Sequence, residues 1–306
     1  MKHEPIDPFA AEDIRSQVEK IIRGLGYPEP PLNLNDVREL LNLDRQFYSS
    51  TNTGPLRERL SKLKIGAKQI LRRPGLLLDV VNKAQLKALW LPDRKRILID
   101  EEIPLLKQRH AEAHEITHSI TPHHASFLFG DDGATLRPTC YEKLEAEANY
   151  GSGQLLFMVD RFSAEARDSP KTIKAISALS NKFGNTITMT LWRFIEEAHK
   201  GEPLFGMVSI HPNNLDNRDK PQSPCRHFIV SPMFRTLFNN VSETAMFREI
   251  QHYSSGRCRG PLGEGEIKLA GLDGQQHRFH METFYNGYDA LTLGTYKGLL
   301  HIQVNT

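Results

Sequence analysis

The chain has 306 residues, 39% hydrophobic and 25% charged, enough apolar side chain to build a core in one large domain or two. Lysine and arginine number 39 against 37 aspartate and glutamate, a formal net charge of +2, which gives no support for bulk electrostatic binding to nucleic acid. Three widely spaced cysteines, Cys140, Cys225 and Cys258, form no Cys-x-x-Cys pair and argue against a disulfide framework. The opening MKHEPIDPFA is charged and lacks the apolar stretch of a secretory signal, and apolar runs such as 155–159 are far too short to span a bilayer. A cytoplasmic protein with no membrane partner is expected.

Residues 9–24 read as an amphipathic helix, with Ile14, Val18, Ile21 and Ile22 at helical spacing and Gly24 and Gly26 ending it. Asn35 is expected to cap a short helix carrying Val37, Leu40 and Leu41. Residues 55–72 read as a basic helix with a solvated face. Residues 88–91 and 96–100 flank Pro92-Asp93-Arg94-Lys95 and read as a β-hairpin, whose second strand is expected to line a cleft with a free edge. A helix over 102–120 follows, with Pro104 near its start and Pro122 beyond its end.

After a loop over 121–138, residues 141–158 read as a helix with Leu144, Ala148 and Leu155 as its buried stripe, weakened to the point of a bend by Gly151 and Gly153. Residues 170–199 read as two or three short helices broken at Gly184-Asn185-Thr186. From 203 the pattern turns β-like, at 204–210, 227–230, 266–269, 277–284, 290–293 and 299–304, with a helix near 233–240. The fold class expected is α+β, divided at 1–160, at a helical, helix-turn-helix-like segment 161–202, and at a β-rich domain 203–306.

The most informative stretch is His114-Glu115-Ile116-Thr117-His118. On a helix, residues four apart share a face, so His114 and His118 can reach one metal ion with Glu115 beside them. Zinc takes imidazole nitrogen readily, and a catalytic site needs three protein ligands and an open position. The helix after the loop offers Glu142, Glu145 and Glu147. Glu142, Glu145, Asn149 and Ser152 fall on one side of it and Glu147 points elsewhere. Glu145, beside the Leu144/Ala148 stripe, is well placed for the metal, with Glu142 as runner-up.

His-Glu-x-x-His followed by Glu145-Ala146-Glu147-Ala148-Asn149 and Leu155-Leu156 resembles the ImmA/IrrE family of metallopeptidases. Glu145 lies 27 residues after His118, similar to the family's spacing, and the strand at 96–100 before the helix also fits. The likeness of layout covers roughly 9–160, and its specific residues lie within 96–157. The resemblance implies a zincin-like domain over 1–160, His114, His118 and Glu145 as zinc ligands, and Glu115 as catalytic base. It also implies a DNA-binding repressor as substrate, cut to derepress stress-response or mobile-element genes, and a regulatory or recognition role for 203–306. The chain departs from the family pattern at Glu112, where an apolar residue is usual, at Thr117, where glycine is usual, and at Gly151-Ser152, where Phe-Ala is common.

Other residues have weaker claims. His123, His124, Tyr141 and Tyr150 are candidate donors to a developing oxyanion, and His110 stands one turn before His114. Lys171, Lys174, Lys182 and Arg193 give the 173–197 helices a mild basicity offset by Glu196 and Glu197, so packing is a stronger expectation for them than direct DNA binding. Cys258, between Arg257 and Arg259, would be an activated thiol if exposed. Two histidines and a carboxylate suit Mn2+ or Fe2+ as well as Zn2+. Two rival functions stand beside the peptidase: a repressor-sequestering protein that does not cut, and a DNA-binding regulator.

Overall fold

The structure is a computed structural model that describes residues 6–48, 88–91, 95–124, 138–213, 223–256 and 258–300. The expected helix at 55–72 lies outside the described residues, as do 301–306 and the side chains of Cys140 and Tyr141. The fold is mixed α+β and divides into two compact units, Met1–Val159 and Asp160–Thr306.

The first unit opens with α1 (Pro8–Gly24), whose N-cap Asp7 accepts from Phe9 N at 2.8 Å and whose buried face is Ile14, Val18, Ile21 and Ile22. Helix α2 (Leu34–Leu41) is capped by Asn33 rather than Asn35, and Leu40 is exposed. Strands β1 (Asp44–Tyr48), β2 (Ala88–Leu91) and β3 (Arg96–Asp100) form a sheet in the order β1-β3-β2. The hairpin pairs Leu91 with Arg96, and β1 joins β3 in parallel. Strand β3 is therefore central, with Ile97, Leu98 and Ile99 buried, and has no free edge to offer an extended peptide. The missed strand β1 is the reason: its sequence Asp-Arg-Gln-Phe-Tyr carries no apolar alternation.

Helix α3 (Leu105–Ile120) starts after Pro104 and packs on β2, β3 and α4 (Pro138–Leu156). Helix α4 runs on through Gly151 and Gly153 without a break. Gly151 serves closeness instead: a Cβ there would lie 2.3 Å from the Thr117 methyl and 2.7 Å from that of Ile14.

The second unit begins with α5 (Asp160–Arg167), α6 (Ile173–Phe183) and α7 (Ile187–Arg193), the last running into a π-helical turn at Phe194–Ala198. Thr172 and Thr186 cap α6 and α7, and Gly184 ends α6 in the left-handed region at φ 65°. Strands β4 (Leu204–Ser209), β5 (Cys225–Val230), β6 (Gly260–Ala270), β7 (Gln276–Tyr285) and β8 (Ala290–Leu299) form an antiparallel sheet in the order β5-β4-β8-β7-β6. The expected strands at 290–293 and 299–304 thus begin and end one strand among the described residues. Helices α8 (Pro232–Leu237) and α9 (Glu243–Tyr253) cover one face, over Phe205, Met207, Phe279 and Met281.

The other face carries the helices of 160–198. A Cβ on Gly206 would meet Ile195 at 2.5 Å, and Ile173 N donates to Glu282 Oε2 at 2.9 Å. The boundary expected at 201–203 is therefore a change of element type inside one packed unit. The sheet needs a cover on both faces, and the helices of 160–198 supply one.

Candidate metal centre

Helix α3 is buried on most of its surface because the sheet takes one side and α4 another. Ala111, Ala113, Glu115, Ile116, Thr117 and His118 are all buried. Gly151 lets α4 lie close against Thr117 of α3, and the Glu145 carboxylate lies against the histidine face of α3. Glu145 Oε2 lies 3.4 Å from His114 Nε2, and Glu145 Oε1 lies 3.6 Å from His118 Nε2. Both imidazoles thus turn the same ring nitrogen toward one carboxylate. Glu115 sits on the opposite ring nitrogen of His114, with Oε1 3.4 Å from Nδ1. His114, Glu115 and His118 also place ligand atoms within 4.8 Å of one another.

The electrostatics suit a cation. Burial pulls the His114 imidazolium down, but hydrogen bonds and attraction from Glu115 and Glu145 exceed that and hold it well above its ordinary value. Burial pushes the Glu145 carboxyl up, and the two imidazoles bring it well below the usual carboxylate range. A metal bound here would displace protons, so its affinity rises with pH. Two imidazole nitrogens and a carboxylate are a donor set for zinc, manganese or iron.

Behind His118 lies a second set of side chains. Its Nδ1 is 2.7 Å from Nδ1 of His124, whose Nε2 is 2.8 Å from Glu147 Oε2. His123 Nε2 reaches the same oxygen at 2.6 Å. His124 is fully buried, and burial, reinforced by His118 and His123, brings its imidazolium down to about 4 against the pull of Glu147. Glu147 was expected to point elsewhere. It does leave the Glu145 face, but the helical turn at 122–124 folds back to meet it. That turn is what the sequence pattern did not reveal, and the adjacent pair His123-His124 was the only signal of it.

Of the expected oxyanion donors, Tyr141 has its side chain outside the described residues, and the other three are placed as follows. His124 has both ring nitrogens occupied, and His123 points to Glu147. Tyr150 is half-buried on α4, five residues past Glu145 and so about 140° round the helix from it. Glu142 is exposed, which leaves Glu145 as the carboxylate at the histidines. His110 is a turn away, its ring centroid 6.4 Å from that of His114.

Glu112, the unusual residue two before His114, is only 3% exposed. Arg38 Nε donates to it at 2.6 Å and Arg45 Nη1 at 2.9 Å, so its charge is paired by α2 and β1. Thr117 and Gly151, two further departures, face each other: the added methyl of one fills the space left by the other. In the second unit, Lys171 pairs with Glu202, Lys182 with Glu165 and Arg193 with Glu197, and Arg193 is buried. Cys258 is exposed, whereas Cys225 is buried and its thiol is pushed up to about 12 by burial and by Glu243. Among the described residues, no helix is long and apolar enough to cross a membrane.

No protein-family model and no curated protein matches the chain. Solved structures do resemble it, among them a Mycobacterium tuberculosis transcriptional regulator. That match has a TM-score of 0.51 at 12% identity and covers 93% of this chain and 88% of the other, a likeness of fold.

Proposed function

We propose that the chain is a zinc-dependent endopeptidase with a zincin-like first unit, in which His114, His118 and Glu145 hold the metal and Glu115 is the catalytic base. The observation that supports this most is that one carboxylate faces both imidazoles: Glu145 Oε2 stands 3.4 Å from His114 Nε2 and Oε1 3.6 Å from His118 Nε2, a donor set that suits zinc. When bound, zinc would supply a Lewis acid that polarises the scissile carbonyl and lowers the pKa of its water to about 7. Glu115, buried beside His114, would be the residue that accepts a proton from an attacking water and hands it to the leaving amine. The buried Glu112 pair fixes α3 against α2 and β1 and so holds the histidine face in place.

By the resemblance to ImmA/IrrE proteins, the substrate is a DNA-binding repressor, and the unit from Asp160 recognises it or regulates its cutting. The test is metal content beside activity. Wild type should carry about one zinc per chain, lost in Glu145→Ala and His118→Ala, while Glu115→Gln keeps the zinc and loses cleavage of the repressor. A wild type that binds no zinc when supplied with it points to a repressor-sequestering protein instead.

A direct DNA-binding role is the second reading. The fold likeness to a protein named as a transcriptional regulator favours it. The glutamate partners of Lys171, Lys182 and Arg193 weigh against it. A salt-dependent shift of duplex DNA, lost on changing Lys182 and Arg193, would establish it.

A further inference from the structure

We propose that His124 and Glu147 form a relay that fixes the tautomer and ring angle of His118, making both positioning residues of the metal centre; the proposal rests on the metal-site reading above. Glu147 Oε2 accepts, so His124 must donate from Nε2, at 2.8 Å. A neutral imidazole that donates from Nε2 accepts at Nδ1, and His124 Nδ1 lies 2.7 Å from His118 Nδ1, which therefore donates to it. His124 is fully buried, with imidazoles on two sides at centroid distances of 4.8 Å. A proton on His118 Nδ1 leaves Nε2, on the side facing Glu145, as the nitrogen that can ligate. One carboxylate thus sets the direction of two rings, and the outer one has no access to water that could relax it.

The same side chains could be mistaken for a second metal site, since His123, His124 and Glu147 place ligand atoms within 4.8 Å of one another. Two observations oppose that. Their separations of 2.6 and 2.8 Å are hydrogen-bond lengths, well under the ligand–ligand spacing of about 3.3 Å at a tetrahedral zinc. A metal on His124 Nε2 would also move the ring proton to Nδ1 and reverse the bond to His118. That leaves His118 Nε2 protonated and unable to ligate. The two sites exclude each other.

The test is zinc affinity of the full chain by chelator competition, with the fold followed by circular dichroism. His124→Leu should bind zinc about 10- to 100-fold more weakly, and Glu147→Ala nearer 10-fold. His124→Gln should recover to within about threefold, because its amide oxygen can accept from His118 while its NH2 donates to Glu147. His123→Ala, which leaves the bond between His124 and Glu147 in place, should bind much as wild type does. In the zinc-loaded wild type, 15N spectra of labelled histidine should show His118 protonated at Nδ1. Wild-type affinity in folded His124→Leu, a bare His118 Nδ1, or a second zinc lost in His123→Ala would each overturn the relay and leave the metal site standing. If His124→Leu does not fold, undiminished affinity in Glu147→Ala overturns it equally. A wild type that binds no zinc overturns the metal site itself.

Discussion

Two buried clusters, one in each unit, are made of different material. Under the second unit's sheet lies an aromatic cluster: Phe205, Phe234, Phe238 and Phe279 hold ring centroids 5.0–5.8 Å apart, all four essentially fully buried. The first unit instead encloses Glu112, Glu115, His118 and His124 within its helices. Burying such groups costs stability unless each is paired, and here each has a partner. The contrast separates a region whose contacts serve to hold a shape from one whose contacts hold proton and charge positions.

The sharpest way to break that comparison is to hollow out the aromatic cluster. Phe279→Ala should cost about 3–5 kcal/mol of stability while zinc binding by the first unit persists. Thermal unfolding beside zinc titration reads both, and parallel loss of zinc would dissolve the distinction. Next in size is Glu112→Ala, which strands two arginines that keep partial access to water and should cost about 2–3 kcal/mol in denaturant unfolding. An unchanged midpoint would show that the buried pair contributes nothing.

Gly151→Ala should cost about 1–3 kcal/mol by overpacking, and part of that should return in a Thr117→Ala background, because the nearest obstacle is the Thr117 methyl. Equal cost in both backgrounds would place the strain on Ile14 alone.

The smallest effect is a pH dependence in the second unit. Burial lowers the His199 imidazolium below 6.5, and its Nε2 is buried without a hydrogen-bond partner. Glu202 is pushed up by burial but brought below 4.5 by Lys171 and His199. For both, the unfolded chain binds the proton first, so stability present at neutral pH drains as pH falls, first below 6.5 for His199 and then below 4.5 for Glu202. His199→Gln should flatten the upper part of a plot of Tm against pH, and an unchanged slope would assign the effect elsewhere.

Local periodicity made much of this molecule legible. The 3.6-residue pattern located α1, α3, α4 and the helix pair at 173–193, and alternation located the hairpin and most of the second sheet. Helix α9 carried readable signals, Ser242 as its cap and Met246, Phe247 and Ile250 as its stripe, and was missed. What could not be read locally was pairing across distance. Strand β1 is defined by parallel pairing to β3, with Asp44 opposite Arg96. Glu112 looked anomalous because the arginines that balance it lie 67 and 74 residues earlier in the chain. At the site, His114, His118 and Glu145 were suggested by spacing, because two share a helix turn and the third sits on a readable stripe. Glu147 and His124 were not, because their meeting depends on how the chain turns after Ile120.

Thr117 and Gly151 carry a historical consequence. With a methyl at 117 already in contact, any enlargement of residue 151 collides with it, whereas trimming residue 117 first leaves only a small void. Substitutions at the two positions are therefore easier in one order than in the other. Lineages of this chain should show the pair changing in a fixed sequence: the threonine shrinks before the glycine grows, and the glycine appears before the threonine does.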